Sequence, residues 1–393
     1  MFRLLQLNAN DPQTLQQELQ QQLPEPVNLL IATGNVASLQ ALGGLERPQQ
    51  FAANWIACSS CIGAASSFGV DTATDRRLTL LALTDPAGSY GVASVRQISG
   101  QISQQAADTV LAAMAMANRS GELPGLIWCM QAPGFEEQII SGIQQVVGDQ
   151  VPILGGSAAD DDVSGQWCQY DGMTLGSDLL VIAVLYPTVP VSSYFSSGYS
   201  SGKFSGVVTA VSDRNIMQID GEPALQVYNR WLLGAGLAPL QPGVVMSQST
   251  FHPIGRQLSA RDVPFSLLSL PTNVGDDGSI RLLAELQVGD EISLMHGSKE
   301  QLVRRAAHVV QVAANNLRLR HDTASAAALI VYCAGCMLAV RDEISQVQQS
   351  LTNNLPGLPY LVAFTFGEQG CFADGFNRHG NLMISAVLFG QTK

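Results

Sequence analysis

The stretch GLIWCMQAPGFEEQIISGIQQVVGDQVPILGGS (residues 125–157) has the order strand, helix, strand that decides the fold. Its first seven residues form a short apolar run typical of a buried strand, and Ile139, Ile143 and Val146 follow at helical spacing. The run VPILGGS then predicts a second buried strand. Upstream, residues 101–117 carry an apolar stripe that predicts a helix. Downstream, QWCQYDG and DLLVIAVLY predict a hairpin with its turn at residues 172–177.

The same order of elements recurs about two hundred positions later. A helix is predicted from residue 299, then the strand AALIVYC, a helix over residues 341–355, and the strands PYLVAFTFGE and NLMISAVLFG. The pairs RLTLLAL with YGVASVRQI, and SIRLLAEL with DEISLMHG, predict strands that precede the two copies. The sequence therefore predicts an α/β fold of two mixed-sheet domains built from a duplicated helix-strand-helix-strand-hairpin unit.

A Ser-, Gly- and Pro-rich segment at residues 191–270 separates the two copies. Alternation in SSYFSSGYSSGKFSG predicts an exposed strand pair. The run PALQVYNRWL predicts a helix with Pro223 in its first turn, where a missing N–H group has no cost. The second domain is expected to begin near this helix.

Composition and charge narrow the class of protein. A hydrophobic fraction of 46% against 13% charged residues indicates a folded chain, and a net charge of −12 disfavours nucleic acid and anionic membranes as partners. The N-terminus lacks the pattern of a signal peptide, and the longest apolar run falls short of the roughly 18 residues of a membrane span. Seven cysteines, an odd number, fit a reducing compartment. We therefore expect a cytoplasmic protein.

Two pairs of cysteines have the CxxC spacing that is found in zinc and redox sites. They are Cys58 with Cys61 and Cys333 with Cys336. The pairs lie far apart in the chain, and cysteine is among the residues most often buried. Structural cysteines are therefore the favoured interpretation, with a zinc or redox role as the alternative.

Motifs of known enzyme classes are absent from the sequence, which contains no G-x-S-x-G elbow, HExxH, Walker loop or GxGxxG after a strand. A hydrolase or transferase with Cys58 or Ser59 as its nucleophile is an alternative, but no accompanying base is visible. The acidic run at residues 160–162 could bind a cation, although such runs are more often solvated loops. We therefore expect a binding protein that is not an enzyme.

His252 is the strongest candidate ligand among the five histidines. The following Pro253 favours an extended backbone at this position. Three apolar residues and two arginines surround it in the sequence: Phe251, Ile254, Leu258, Arg256 and Arg261. An axial imidazole, apolar walls and cations for propionates are what a haem site needs, while a loop histidine bonded to backbone is the alternative. The other histidines are predicted as surface or turn residues: His296, His308, His321 and His379.

The segment LGGSAADDD (residues 154–162), which follows a helix and precedes a hairpin, resembles the Gly-Gly-Ser-Ala-acidic signature of FIST proteins. ACSSCIG resembles a second element of their N-terminal half, and DRNIMQIDGEPALQVYNRWL resembles the junction to their C-terminal domain. HPIG, YCAG and FTFGE resemble three C-terminal elements. In order and spacing these motifs resemble the family over residues 27–390. The chain departs from the family pattern at two positions. Cys61 interrupts the usual small-residue turn, and Cys336 stands where family members often carry arginine.

The resemblance implies four regions along the chain. They are an N-terminal lead-in over residues 1–26, a FIST N-terminal domain over residues 27–200, connecting strands over residues 201–222, and a FIST C-terminal domain over residues 223–393.

FIST proteins are understood as intracellular sensory modules, and the stand-alone NosP subset binds haem and senses nitric oxide. The resemblance therefore implies a nitric oxide sensor that carries haem b, with His252 as the metal ligand and Arg256 and Arg261 as cofactor-binding residues. A partner histidine kinase, or another signalling protein in two-component or cyclic-di-GMP signalling, would read the change. A homo-oligomeric assembly is compatible with this role.

A second interpretation keeps the fold and the sensory role but replaces the haem. In it, the ligand is an amino acid or another small metabolite, held by the backbone of Gly155, Gly156 and Ser157. The two interpretations differ in the expected Soret absorption of the protein.

Overall fold

A computed structural model of the protein describes residues 1–72, 74–260, 263–372 and 374–392. It confirms the predicted α/β class, because helices pack on several mixed sheets. Among the described residues, no helix combines the length and the apolar character needed to cross a lipid bilayer.

The N-terminal part of the chain alternates strands with short helices. Its elements are β1 (Phe2–Asn8), α1 (Pro12–Gln22), β2 (Val27–Gly34), α2 (Val36–Gln40), β3 (Ala52–Ser59), β4 (Ala64–Ser66), β5 (Gly69–Val70), β6 (Arg77–Leu83) and β7 (Ser89–Arg96). The side chain of Asp11 accepts a hydrogen bond from the Thr14 N–H and so caps the start of α1. Leu15 and Leu19, one turn apart, are the buried face of this helix.

The next part contains the first predicted strand-helix-strand unit. Its elements are α3 (Ile102–Met116), β8 (Leu126–Gln131), α4 (Glu136–Val147), β9 (Ile153–Ser157), β10 (Gln169–Tyr170), β11 (Leu175–Gly176), β12 (Leu179–Tyr186) and β13 (Val191–Ser197). Gly142 allows α4 to approach α3, because a Cβ atom there would lie 2.1 Å from the carbonyl oxygen of Ser103. The period of the apolar residues thus predicted these helices to within a few positions.

The Ser- and Gly-rich segment folds into a sheet of its own. Its elements are β14 (Ser200–Ser212), β15 (Asn215–Ile219), β16 (Glu222–Pro223), α5 (Ala224–Gly234), β17 (Gly243–Val244), α6 (Met246–Ser249), β18 (Ile254–Ala260), β19 (Val263–Ser269), β20 (Pro271–Val274), β21 (Ile280–Leu282) and β22 (Glu291–His296). The helix α5 packs on this sheet through Val227, Tyr228 and Trp231. The segment is therefore a structured region with its own core, beyond the strand pair and helix predicted for it.

The C-terminal part contains the second predicted unit. Its elements are α7 (Lys299–His321), β23 (Ser325–Cys333), α8 (Ala334–Ala339), α9 (Ile344–Asn354), β24 (Tyr360–Thr365), β25 (Gly367–Cys371), β26 (Asn377–Gly380) and β27 (Met383–Gly390). Ser298 caps α7 by accepting a hydrogen bond from the Gln301 N–H. Arg318, Arg320 and His321 in its last turn complement the negative end of the helix dipole.

Three of the four sheets share one order of strand pairing. In each, two strands run parallel to each other: β2 with β3, β8 with β9, and β23 with β24. An antiparallel strand lies on the other side of the first member: β6, β12 and β27. An outer strand completes that edge: β1, β7 and β13. The same order of strand pairing thus recurs in three sheets. That it arose from a duplicated unit stays a prediction.

Each of these three sheets is extended by a short hairpin from elsewhere in the chain. The hairpin β10–β11 pairs with β3, β25–β26 pairs with β9, and β4–β5 pairs with β24. The predicted hairpin between the segments of β10 and β12 is therefore wrong. The long apolar β12 lies between β7 and β8, where both its faces are covered, while the two-residue β10 caps the first sheet.

Backbone hydrogen bonds join the ends of β3, β9 and β24. The N–H of Ala159 donates to Ser59 O at 2.9 Å, and the N–H of Phe366 donates to Ser157 O at 3.1 Å. The N–H of Cys61 donates to the carbonyl of Phe364 at 3.0 Å. Because these three strands belong to three different sheets, the bonds hold the sheets together at one point.

The three sheets also share one apolar core. It contains side chains from the first sheet, the second sheet and the third sheet: Leu29, Ile31, Ile56, Leu81, Leu126, Trp128, Val181, Leu329, Val331, Val387 and Phe389. The sheet formed by residues 200–296 has a separate core with α5. Residues from both ends of the sequence are thus needed to bury the same apolar surface.

Candidate functional site

The predicted ligand-binding segment lies inside the second sheet. Gly155 pairs with Cys129 on one side and Gln369 on the other, and Gly156 is held in the same way by its neighbours. Gly155 has φ of +130°, and a Cβ there would lie 1.9 Å from the Cys129 carbonyl oxygen. The backbone of this segment is engaged in the sheet, so the groups predicted to hold a ligand already pair with neighbouring strands.

The hydroxyl of Ser157 faces α4 and begins a buried polar network. It donates to Glu136 Oε1 at 2.6 Å and accepts a hydrogen bond from Gln131 Nε2 at 3.1 Å. Glu136 is 3% exposed and opens α4, where the positive end of the helix dipole favours a carboxylate. Position and environment therefore both favour an ionised Glu136.

Glu136, Glu137, Arg214 and His379 form a compact set of charges, called here the Glu136 cluster. Arg214 Nη2 lies 2.8 Å from Glu136 Oε2 and 2.5 Å from Glu137 Oε2. His379 Nδ1 lies 2.9 Å from Glu137 Oε1. The cluster joins α4 to the turn between β14 and β15 and to the hairpin β25–β26. It thus connects the second sheet to both later parts of the chain.

The charges of the Glu136 cluster set one another's protonation. Burial opposes the ionised forms of Glu136 and Glu137, but the charges of His379 and Arg214 outweigh it and lower the pKa of both carboxyls. Burial also opposes a charged His379, yet Glu137 and Glu136 outweigh it and raise the pKa of the imidazole. Two anions therefore face two cations in a largely buried place.

Three buried polar atoms next to the cluster have no hydrogen-bond partner among the described residues. They are His379 Nε2 and both amide atoms of Gln369, whose side chains are 3% and 0% exposed. Gln369 lies directly opposite His379 in the hairpin and beside Gly155. Buried polar groups in folded proteins nearly always have partners. These three atoms therefore offer hydrogen-bonding capacity to ordered water or to a small polar molecule.

The same cluster offers ligand atoms to a metal ion. One oxygen each of Glu136 and Glu137 and one nitrogen of His379 lie within 4.8 Å of one another. The guanidinium of Arg214 already bonds to both carboxylates, so a metal ion would have to replace it. The cluster is therefore a set of ion pairs, and we assign no metal ion to it.

Glu368, the neighbour of Gln369, faces the opposite side of the sheet and is fully buried. Burial and the adjacent Cys333 raise the pKa of this carboxyl well above its usual range, and it accepts a hydrogen bond from the Met383 N–H at 3.0 Å. The unfolded chain would ionise near pH 4.5. The stabilising effect of protonated Glu368 is thus present below that pH and is lost as the pH rises toward the folded pKa.

We expect Glu368→Gln to abolish the fall in the free energy of unfolding that the wild type shows as the pH rises, because glutamine cannot ionise. Each pKa unit above the unfolded value corresponds to about 1.4 kcal/mol. Urea unfolding at pH 5 and pH 8 should show a flatter pH dependence for the variant than for the wild type. The exposed Glu25→Gln serves as the control, and equal slopes for both variants would contradict the protonated state of Glu368.

The residues predicted for haem are only partly brought together. Arg256 forms an ion pair with Asp290 at 3.4 Å, and Arg261 lies outside the described residues. Ile254 is buried in the core of the fourth sheet, whereas Phe251 packs against the core below α7. Because the predicted walls face different cores and one predicted propionate partner is already neutralised, this arrangement does not fit a haem site.

His252 itself has a neighbour that the sequence did not reveal. Its Nδ1 lies 3.3 Å from Nδ1 of His296, and its carbonyl accepts a hydrogen bond from the hydroxyl of Tyr228. Burial and the nearby His296 lower the pKa of His252. The predicted candidate is therefore a neutral, half-buried imidazole in contact with a second one.

One of the two CxxC pairs converges, because Cys333 and Cys336 both lie in the core below α7 with their thiols in hydrogen-bond contact. The other pair is separated. Cys58 faces the core shared by the three sheets, and Cys61 lies in the core below α7, so this pair does not converge. Burial raises the pKa of both thiols to about 12. The hydroxyl of Ser59 accepts a hydrogen bond from the Cys168 N–H. Both candidate nucleophiles are thus buried, and Cys58 is held as an unreactive thiol.

Two residues that the sequence placed at the surface, His379 and Asp160, are buried. His379 lies in β26 and is buried, because a hairpin from far along the chain pairs with β9. Asp160 is 1% exposed, and its Oδ2 accepts hydrogen bonds from the N–H groups of Gly165 and Gln166, so it organises a loop. No local pattern marks either position as buried.

Two family models match the sequence: the FIST N domain over residues 7–222 and the FIST C domain over residues 224–371. A comparison with curated protein sequences returned no match. Two solved structures of cyanuric acid hydrolases, one from A. caulinodans, align over 99% and 100% of this chain and 99% of their own chains. Their identities are 7% and 11%, each with a TM-score of 0.35. PurLQS from Thermotoga maritima aligns over 78% of this chain and 73% of its own, at 10% identity and a TM-score of 0.23.

The expectation that the chain is not an enzyme is corrected by this comparison. Two solved structures that align over nearly the full length of each chain are hydrolases. The missing motifs exclude only the chemistries that they describe. At a TM-score of 0.35 the likeness transfers no activity to this chain, but the non-catalytic assignment is withdrawn.

Proposed function

Because the chain belongs to the FIST family of small-ligand-sensing signalling proteins, we propose that it detects a small polar ligand beside the Glu136 cluster. One observation carries the proposal. The amide of Gln369 and Nε2 of His379 are buried without a partner among the described residues, next to a network that is otherwise satisfied. Leaving such groups unpaired costs about 1–3 kcal/mol each, which a bound ligand would recover.

The chemistry of these groups selects the class of ligand. The Gln369 amide presents an NH2 group with two N–H donors and a carbonyl acceptor, and a charged His379 presents a further donor at Nε2. A ligand that combines a carboxylate or carbonyl with an N–H group satisfies both residues. An amino acid or a related amide has this combination, so we propose this class.

The position of the site suggests how binding is passed on. Arg214 belongs to the sheet formed by residues 200–296, while Glu136 and Glu137 belong to α4. A ligand that bonds to His379 or Gln369 changes the charge balance that holds Arg214 between the two carboxylates. The signal requires that the ligand bind the two arrangements with different affinity. A histidine kinase or another signalling protein is the proposed reader.

Thermal unfolding with each of the twenty amino acids at millimolar concentration tests the proposal. We expect at least one to raise the melting temperature by several degrees, because a ligand at one hundred times its Kd adds about 2.7 kcal/mol. Gln369→Leu is expected to fold and to lose the response, since it removes groups without partners. The exposed Gln20→Leu is the matched control. A response that survives in Gln369→Leu would place the ligand elsewhere.

Haem binding at His252, with nitric oxide as the sensed gas, stays a separate prediction. It is tested by adding haemin to the purified protein and recording the Soret band with and without nitric oxide. From the ion pair of Arg256 and the separation of the predicted walls, we expect no band that depends on His252. A Soret band that is present in the wild type and disappears in His252→Ala would show that the protein binds haem through His252. The proposal of a small polar ligand would then be given up.

A further inference from the structure

His252 and His296 face each other across two paired strands. Ile254 of β18 lies opposite Leu294 of β22, and continuing this register places His252 opposite His296. Their Nδ1 atoms are 3.3 Å apart, and the rings meet edge to face at 75° with centroids 5.4 Å apart. The contact is therefore made between the turn that leads into β18 and the last residue of β22.

The backbone on both sides of the pair is fixed. The N–H of Gly297 donates to Phe251 O at 2.8 Å, and the N–H of Met295 donates to Pro253 O at 2.9 Å. A Cβ at Gly202 would lie 2.6 Å from Nε2 of His296, so this backbone supports the far edge of that ring. The backbone positions from which both rings project are thus fixed.

Two Nδ1 atoms at this distance leave at least one lone pair without a proton. If one ring carries its proton on Nδ1, the other accepts it, and if neither does, two lone pairs face each other. A neutral imidazole is a preferred ligand of zinc, nickel and copper. An ion at about 2.1 Å from each nitrogen would have an angle of about 100° between the two bonds, near the tetrahedral value.

We infer that His252 and His296 together bind one divalent transition-metal ion of the zinc, nickel or copper class through their Nδ1 atoms, with solvent in the remaining positions. The ion would link the turn before β18 to the end of β22, two residues before Ser298 caps α7. This metal site shares no residue with the Glu136 cluster. The inference about the metal is therefore independent of whether the proposed ligand binds at the Glu136 cluster.

Titration of the metal-free full-length protein with zinc by calorimetry tests the inference. We expect one site in the wild type, and we expect His252→Ala and His296→Ala each to lower the affinity by more than about tenfold. His321→Ala, at the exposed end of α7, and Gln369→Leu should bind zinc like the wild type. Circular dichroism and the melting temperature check that each variant is folded.

Cobalt provides a second measurement that separates histidine from cysteine ligands. We expect a cobalt spectrum without the intense thiolate-to-metal band, because the proposed ligands are imidazoles. Absence of a wild-type site, an unchanged affinity in His252→Ala, or a thiolate band would each overturn the inference. The last outcome would assign the metal to the cysteines instead.

Discussion

Replacing Arg214 by methionine is expected to destabilise the folded protein by about 3–5 kcal/mol. The guanidinium bonds to both Glu136 and Glu137, and Glu136 is 3% exposed. Removing it leaves one buried and one partly buried carboxylate that share only the charge of His379. Urea unfolding at pH 7 measures the change.

The exposed pair of Arg230 with Glu222 provides the matched control. Its side chains are 58% and 47% exposed, so Arg230→Met should change the free energy of unfolding far less than Arg214→Met does. The pKa values of Glu136 and Glu137 are lowered in the fold, so their contribution is present above about pH 4.5 and is lost as the pH falls through the folded values. The cost of Arg214→Met should therefore shrink in acid. Equal effects of both substitutions at pH 7 would contradict the described cluster.

A fragment that ends at residue 222, where the FIST N match ends, is expected not to fold alone. It would expose the core face that normally packs against Leu329, Val387 and Phe389, and it would lack β25–β26 beside β9. Burying each such side chain contributes about 1.5–3 kcal/mol, and the total stability of a domain is only about 5–15 kcal/mol. The fragment should be insoluble or lack a cooperative unfolding transition.

Co-expression with residues 223–393 is the control for this experiment. If the two fragments recover a soluble complex with the circular dichroism of the intact chain, the loss in the single fragment came from the missing partner surface. A soluble fragment 1–222 that unfolds cooperatively by itself would show that the shared core is not required.

Local patterns in the sequence predicted the elements whose form depends on their own residues. The apolar period of residues 101–117 and the run GLIWCMQ correspond to α3 and β8, and residue 299 was predicted correctly as the start of α7. Helices and buried strands depend on spacing within a short window, so single segments suffice to find them. The α/β class followed from these elements.

The exchange of hairpins could not be predicted in this way. The pairing of Gly156 with Glu368 joins residues more than two hundred positions apart. Strands of two or three residues, such as β10 and β4, carry too few side chains for an alternating pattern. Their partners are chosen by the packing of whole sheets, which no local window contains.

The candidate site shows the same division between local and distant information. The signature LGGSAADDD directed attention to Ser157, which does face the buried polar network. Glu136 stands only three positions before the helical stripe that begins at Ile139, and His379 was predicted as a surface or turn residue. Both acquire their role from Arg214, which approaches from a different sheet. His252 was selected for its own neighbours in sequence, while His296 became its partner only through the register of β18 and β22.

The hairpins that complete three of the sheets have a consequence for self-association. Each hairpin bonds to strands from a different part of the chain, so the same hairpin from a second copy could make the same hydrogen bonds. Exchange between chains would then cost only the entropy of association, which is the condition for domain swapping. The shortest of the three, β10–β11, has two strands of two residues each and would open most easily. Partial unfolding at high protein concentration therefore gives this fold a direct route to intertwined dimers.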